Sequence, residues 1–251
     1  MRIRFDGQSV LVTGAGRGIG RAVAGGFAAA GARVFLADSV SESVQEAAAA
    51  IRAAGGIAEA ILLDITDRTA VGDAASRIAG QNGPVHHLVN NAGIHGVAGL
   101  QDEVSDALWE RIIAVNVHGT YNVTRAFSPQ LMQTRGTILN IASVMSFIGN
   151  TGLTAYSASK AAVHNFTQAL SVELGAEGVR VNALAPGLIA TPMTEALVKD
   201  GERLGRILPR ISLQRAGQPA DLVGAALFLC SQHAAYITGV TLRVDGGWLA
   251  R

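Results

Sequence analysis

The sequence holds a single cysteine in 251 residues, so no disulfide can close within the chain. That cysteine, Cys230, falls in the apolar run ALFLC, where a buried, inert thiol is expected. Basic clusters are missing too. Lys+Arg total 20 against 19 Asp+Glu, the formal net charge is +1, and no run of Lys or Arg reaches four residues. Nucleic-acid binding needs a concentrated basic footprint, and that class is excluded. No apolar run approaches the roughly eighteen residues of a membrane-spanning helix, so no membrane association is expected. The opening MRIRFDGQSVLV lacks a long apolar stretch followed by a small-residue cleavage site. A secretory signal is therefore not expected, and a cytoplasmic setting is. Repeats, low-complexity tracts and a dividing linker are also absent.

What is present is a chain 49% hydrophobic and 16% charged, which suits a globule with a large core. Short β-type runs at 9–13, 33–38, 58–63, 85–90, 137–143, 179–184 and 240–244 alternate with alanine-rich or amphipathic helical segments. Strands apolar on both faces and separated by helices predict an α/β fold. The expected form is one domain over 1–251, a doubly wound parallel sheet of Rossmann type with helices on both faces. One stretch breaks the rhythm. Between Pro186 and Pro219 no strand is expected, and an insertion of this length is usually functional, so 187–218 is read as a substrate lid. Its Arg203, Arg206, Arg210 and Arg215 offer partners for a substrate carboxylate.

The segment LVTGAGRGIG joins the first strand to the first helix. Gly14, Gly18 and Gly20 remove side chains where backbone must turn tightly and approach a pyrophosphate at a helix N-terminus. The strict G-x-G-x-x-G spacing is not met, because Ile19 and Arg21 fall where its last glycine would be. A tight strand-to-helix turn with no ligand is the plainer alternative. The second strand ends at Asp38, where a carboxylate can accept hydrogen bonds from adenosine ribose hydroxyls, or simply cap a helix. Asp64 and Ile65, at the third strand end, can flank an adenine ring or cap the helix at 67–80. Asn90-Asn91-Ala92-Gly93 follows the fourth strand, at an edge where open α/β sheets bind ligands. Adjacent His86 and His87 point to opposite faces of a strand and cannot chelate one ion together, and no metal is expected.

Tyr156 and Lys160 lie four residues apart at the start of a helical run, which places both on one face. With three tyrosines and two lysines in the chain, a chance Tyr-x-x-x-Lys arises with probability of roughly 0.02. A phenol with pKa about 10 is a poor base at neutral pH. Lowering it by about 3 units takes roughly 4 kcal/mol, which a cation about 4 Å away can supply at an effective dielectric near 20. Ser143, at the end of the fifth strand, can hydrogen-bond the reacting oxygen. Asn116 can hold a water against Lys160 for proton relay. The expectation is proton transfer coupled to hydride transfer between an alcohol/carbonyl pair and a nicotinamide dinucleotide.

Over essentially its whole length the chain resembles the short-chain dehydrogenase/reductase family. The matching elements are TGAGRGIG at 13–20, Asp64, NNAG at 90–93, Asn116, Ser143, YSASK at 156–160 and PGLIATPM at 186–193. The resemblance implies a catalytic tetrad of Asn116, Ser143, Tyr156 and Lys160. It implies a cofactor site formed by Gly14, Arg17, Gly18, Ile19, Gly20, Asp38, Asp64, Ile65, Asn91, Ala92 and Gly93. Tyr156, Lys160, Pro186, Gly187, Ile189 and Thr191 complete that site, with Thr191 on the nicotinamide carboxamide. A homo-oligomer, with a tetramer favoured, is implied as well. Substrate contacts are expected from Ser143, Tyr156, His95, Met145, Asn150 and Met193. His95 and Asn150 suggest a hydroxylated small molecule such as a polyol, sugar or sugar acid. Asp38 favours NAD over NADP, while Arg17 pulls the other way. A 3-oxoacyl-carrier-protein reductase using NADPH is the competing enzyme, and a non-catalytic NAD(H) sensor is the competing class.

Overall fold

The computed structural model describes residues 3–250. Seven strands form one sheet: β1 (Ser9–Thr13), β2 (Arg33–Asp38), β3 (Ile57–Leu62), β4 (His87–Asn90), β5 (Thr137–Ile141), β6 (Arg180–Pro186) and β7 (Thr241–Val244). Their order is β3-β2-β1-β4-β5-β6-β7, and every neighbouring pair is parallel. The chain reverses direction across the sheet between β1 and β4, the switch point at which such sheets bind ligands.

Strand alternation divides the core in two. Val10 and Val12 of β1 face α1 (Gly18–Ala29), α2 (Ser41–Ala53) and α9 (Ala220–Cys230), where Val23, Phe27, Val44 and Leu222 pack. Leu11 faces the other side. There α3 (Arg68–Asn82), α5 (Thr120–Thr134) and α6 (Thr154–Gly175) bring Val71, Ile78, Phe127 and Leu170. β1, β4 and β5 are buried at every position, so their apolar residues face both sides of the sheet, and polar residues within them such as His87 and Asn140 are buried and hydrogen-bonded. Among the described residues, no helix is long and apolar enough to cross a membrane.

Three local departures from the sequence reading bear on the site. The fifth strand stops at Ile141 because Ser143 leaves it to cap a short 3-10 turn, Val144–Ser146. Asn116 sits not in plain α-helix but where α4 (Ser105–Ile113) runs into α5 through a π-helical turn, Ala114–Gly119. The 187–218 insertion carries α7 (Glu195–Lys199) and α8 (Gly201–Ile207). Its base is closed by paired backbone bonds, Ala190 N–H to the Gly217 carbonyl and Gly217 N–H to that of Leu188, both 2.8 Å.

His86 and His87 do diverge. His86 Nδ1 accepts the Ser9 N–H at 3.2 Å, while His87 is buried, bonded to Thr137 Oγ1 and Gln8 Oε1 at 2.8 Å each. Burial, then the positive neighbours His86 and Arg180, push the His87 pKa down to about 3. An unfolded histidine titrates near 6.5. As pH falls from there toward 3, the unfolded chain takes up a proton that the native ring refuses, and stability is lost. At pH 5 this amounts to about 2 kcal/mol, or about 5 °C of melting temperature. Between pH 7 and 5, wild type should lose about 5 °C more than His87→Gln in thermal unfolding. Parallel slopes for the two proteins would show that the native ring protonates freely.

Candidate active site

The C-terminal ends of β1, β2, β4, β5 and β6 open into a cleft of about 320 Å³. One wall is the loop after β1. Gly14 and Gly18 hold φ of +61° and +57°, the left-handed region that favours glycine. A Cβ on Gly14 would stand 2.8 Å from Ala92 Cα and 2.9 Å from Asn91 Nδ2. Asn91 is why the approach is so close: its Nδ2 donates to the Thr13 and Gly14 carbonyls, both at 2.9 Å. Thr13 Oγ1 answers by accepting the Asn91 and Ala92 N–H groups at 3.1 Å. Asp38 closes the far end, Oδ2 accepting the Gly16 N–H at 2.9 Å and Oδ1 the Val40 N–H at 3.1 Å. Helix α1 has no side-chain cap and no acidic residue in its first turn. Its first N–H groups are left for an anion, so the loop and helix fit a dinucleotide pyrophosphate.

Asp64 does not cap α3. Its Oδ1 accepts the Thr66 N–H and hydroxyl, both at 2.8 Å, and Asp67 caps the helix through Thr69 and Ala70. Asp64 and Ile65 face the cleft, as do Gly14, Arg17, Gly18, Ile19, Asp38, Asn91, Ala92, Gly93, Pro186, Gly187, Ile189 and Thr191. Gly20 lies underneath instead, because a Cβ there would strike the Gly14 carbonyl oxygen. Its lack of a side chain serves the loop. Ser39, Val40, Leu63 and Thr194 also line the cleft and carried no sequence signal beyond their neighbours.

Opposite the glycine loop stand Ser143, Tyr156 and Lys160. Ser143 hydrogen-bonds Tyr156, and its Oγ accepts the Met145 N–H at 3.1 Å. Lys160 is buried, its Nζ donating to the Ile141 carbonyl at 2.7 Å and standing 5.9 Å from the centre of the Tyr156 ring. Burial lowers the Lys160 ammonium to about 8. The net lowering of the Tyr156 phenol expected beside this cation is not found. Desolvation around its hydroxyl raises the phenol, and the Ser143 bond only partly offsets that. Tyr156 is thus held protonated at neutral pH, in the form that donates.

Asn116 lies behind the cleft wall, in the π turn, a feature common at functional sites. Its Oδ1 accepts the Ile94 N–H at 2.8 Å, and its Nδ2 donates to the Ile94 carbonyl and to Ser159 Oγ, both at 2.9 Å. Both amide protons are used, so any water it holds must be bound through an oxygen. Gly93 leaves open the space that Asn116 and Lys160 border. A Cβ on Gly93 would sit 3.1 Å from Asn116 Oδ1 and 3.5 Å from Lys160 Nζ. Gly93→Ala should therefore lower kcat by about tenfold, through displacement of groups that need near-exact placement. Steady-state kinetics at matched folded concentration checks this, and an unchanged kcat rejects it.

The expected substrate residues separate. Met193 lines the cleft. His95 Nε2 donates to the Met193 carbonyl at 2.8 Å, joining the loop after β4 to the base of the insertion, and its ring stands edge-on to Tyr156. Met145 is buried beneath Ser143, and Asn150 is exposed, its Oδ1 bonded to the Thr151 N–H. Of the insertion's arginines, Arg203, Arg206 and Arg215 pair with Asp200, Glu202 and Asp221. Those ion pairs engage three of the four cations expected for a substrate carboxylate.

Comparison with known proteins places this geometry among relatives. A family model described as Enoyl-(Acyl carrier protein) reductase matches residues 14–249. The chain is 42% identical to galactitol 2-dehydrogenase (L-tagatose-forming) of Cereibacter sphaeroides, over 98% of this chain and 96% of that one. It is 37% identical to a 3-oxoacyl-[acyl-carrier-protein] reductase of Thermotoga maritima, over 98% and 99%. The crystal structure of a gluconate 5-dehydrogenase from Burkholderia cenocepacia, in complex with NADP and tartrate, superposes with TM-score 0.94. That pair is 35% identical, with 100% of this chain and 98% of that one covered.

Proposed function

The chain belongs to the short-chain dehydrogenase/reductase family, and from that premise we propose that it interconverts a secondary alcohol and its ketone, with Tyr156 as the acid/base and NAD(H) as cofactor. The observation that carries the reading is the facing of Ser143, Tyr156 and Lys160 toward the glycine loop across one cleft. In the oxidative direction, alcohol and NAD⁺ give ketone, NADH and one proton. When bound, the nicotinamide accepts or donates the hydride. The chain handles the proton: Tyr156 Oη takes it from the alcohol oxygen or returns it to the carbonyl oxygen. Ser143 Oγ steadies the reacting oxygen. The Lys160 ammonium supports the phenolate as it forms, and Asn116 fixes the region beside Lys160 through which the proton leaves.

The residues present fit a dinucleotide along its length. The glycine loop and α1 would hold the pyrophosphate, Asp38 the adenosine ribose, and Asp64 with Ile65 the adenine. Asn91, Ala92, Gly93, Tyr156 and Lys160 would hold the second ribose, with Pro186, Gly187, Ile189 and Thr191 around the nicotinamide. The relatives' names, galactitol 2-dehydrogenase and gluconate 5-dehydrogenase, together with His95 standing edge-on to the Tyr156 ring, support a polyol or sugar-acid substrate. A homo-oligomer, tetramer favoured, is supported by exposed Val240 and Leu242 at the β7 edge and by Trp109 and Tyr121 on α4 and α5. A cytoplasmic location goes with this reading.

A screen of NAD⁺ reduction over polyols, sugar acids, vicinal diols, cyclic alcohols and hydroxyacyl thioesters tests it. Turnover of a polyol or sugar acid is expected. The Thermotoga relative keeps a second reading in view, reduction of a 3-oxoacyl thioester with NADPH. The α5 end offers an acidic carrier only Arg125 and Arg135, with Glu173 on α6 opposing. Faster use of the thioester than of any polyol would select that reading, and tight NADH binding without turnover would select a sensor.

A further inference from the structure

We propose that two serines outside the reacting set, Ser159 and Ser146, are positioning residues whose hydroxyls brace the four reacting residues against one another. This rests on the assignment of Tyr156 as the acid/base. Ser159 is fully buried, one residue before Lys160. Its Oγ donates to the Tyr156 carbonyl at 2.8 Å and accepts Asn116 Nδ2 at 2.9 Å. A serine bonding back to a carbonyl in its own helix is ordinary local behaviour. A bond accepted from a buried amide on a different element is not local, and it ties the π turn to the first turns of α6.

Ser146 makes the matching link on the other side. Its Oγ donates to the Lys160 carbonyl at 2.7 Å and accepts the Ser143 N–H at 3.3 Å. The turn that carries Ser143 is thereby tied to the backbone of Lys160. One hydroxyl spans Asn116 and Tyr156, the other Ser143 and Lys160. Both bridges need a group that donates and accepts at once, which an alanine methyl cannot do. Removing Ser159 Oγ also leaves a buried Asn116 N–H without its partner, which frees the amide to move. The reacting groups come from the cap of the turn after β5, the π turn and α6, three separate elements. A shift of about 1 Å between them costs about a hundredfold in rate, so cross-links of this kind act on catalysis before they act on stability.

Ser159→Ala, Ser146→Ala and Ser146→Thr test the brace, with the substrate turned over best in the screen and Tyr156→Phe as control. Ser146 is only half-buried, so the threonine methyl has room while the hydroxyl is kept. Each alanine variant should lower kcat about tenfold per molecule that binds NADH. The NADH Kd should stay within about twofold, and Ser146→Thr should recover to within about threefold of wild type. A kcat within twofold of wild type in either folded alanine variant overturns the brace. So does a folded Ser146→Thr as slow as Ser146→Ala. If Ser159→Ala does not fold, the Ser146 pair decides alone. Turnover by Tyr156→Phe would instead remove the acid/base assignment, so the two failures are told apart.

Discussion

Tyr156→Phe should lower turnover of the secondary alcohol by about a thousandfold while leaving the NADH Kd within about twofold. Phenylalanine keeps the ring, including its edge-on contact with His95 at 6.1 Å between centres, and removes only the hydroxyl. The lost group is the one bonded to Ser143 on the cleft wall, and no other titratable side chain there can replace it, because Lys160 is turned to the Ile141 carbonyl. Single-turnover and steady-state rates, set against fluorescence titration of NADH, separate chemistry from binding. Near-normal turnover would sink the acid/base role.

The wild-type pH profile carries the same test in another form. Oxidation needs the Tyr156 proton removed, and burial holds that proton on, so the oxidative rate should climb from neutral toward alkaline pH. Lys160, lowered to about 8, loses its charge above that pH and with it the support for the phenolate. The climb should therefore flatten near pH 8, well short of the ordinary phenol range near 10. In the reductive direction the protonated phenol is the donor, and burial keeps it protonated, so the rate should stay level from neutral to about pH 8 and fall above that as Lys160 loses its charge. A single oxidative inflection near 10 would show that Lys160 has no part in it.

How much of this was legible beforehand follows from what each residue's neighbours are. β1, β4 and β5 were readable because burial on both faces sets apolar residues side by side (VLV, LV, IL) instead of alternating them with polar ones. Tyr156 and Lys160 were readable because helical spacing alone places them together. The destination of Lys160 Nζ was not, since the Ile141 carbonyl lies nineteen residues earlier and only the fold brings it near. The same holds for His95, whose partner Met193 is 98 residues away. Asp64 and Asp67 both suit a helix cap by type and place, and only the backbone shows that Asp67 takes the task. The π turn takes up about one extra residue, and the few apolar positions of so short a segment do not reveal where that residue is inserted. Ser146 and Ser159 are invisible for a plainer reason: a serine in or beside a helix is unremarkable until its second hydrogen bond is seen.

The wild-type chain should use NAD(H) about a hundredfold better than NADP(H) in kcat/KM, a difference of about 3 kcal/mol. Asp38 is the cause. Its carboxylate is fixed at the cleft by the Gly16 and Val40 N–H groups, in the place where the adenosine ribose would lie. Ribose hydroxyls can donate to it, whereas a 2′-phosphate would set like charges together with no cation from the following residue, Ser39. Arg17 pulls in the opposite direction. It is exposed at the loop, makes no ion pair among the described residues, and can swing toward a phosphate. The Burkholderia gluconate 5-dehydrogenase in complex with NADP shows that a structural neighbour accommodates the phosphate. Asp38 should prevail here because it is already anchored, while Arg17 must give up a mobile side chain's freedom to reach its partner. Asp38→Ala should lower kcat/KM for NAD(H) about tenfold, since Gly16 loses its anchor along with the ribose. The same change should lift NADP(H) until the two are used about equally. Arg17→Ala should leave NAD(H) use within about twofold and widen the preference. Steady-state kinetics with both cofactors on the three proteins settles the order, and equal or better use of NADP(H) by wild type would mean that Arg17 outweighs Asp38.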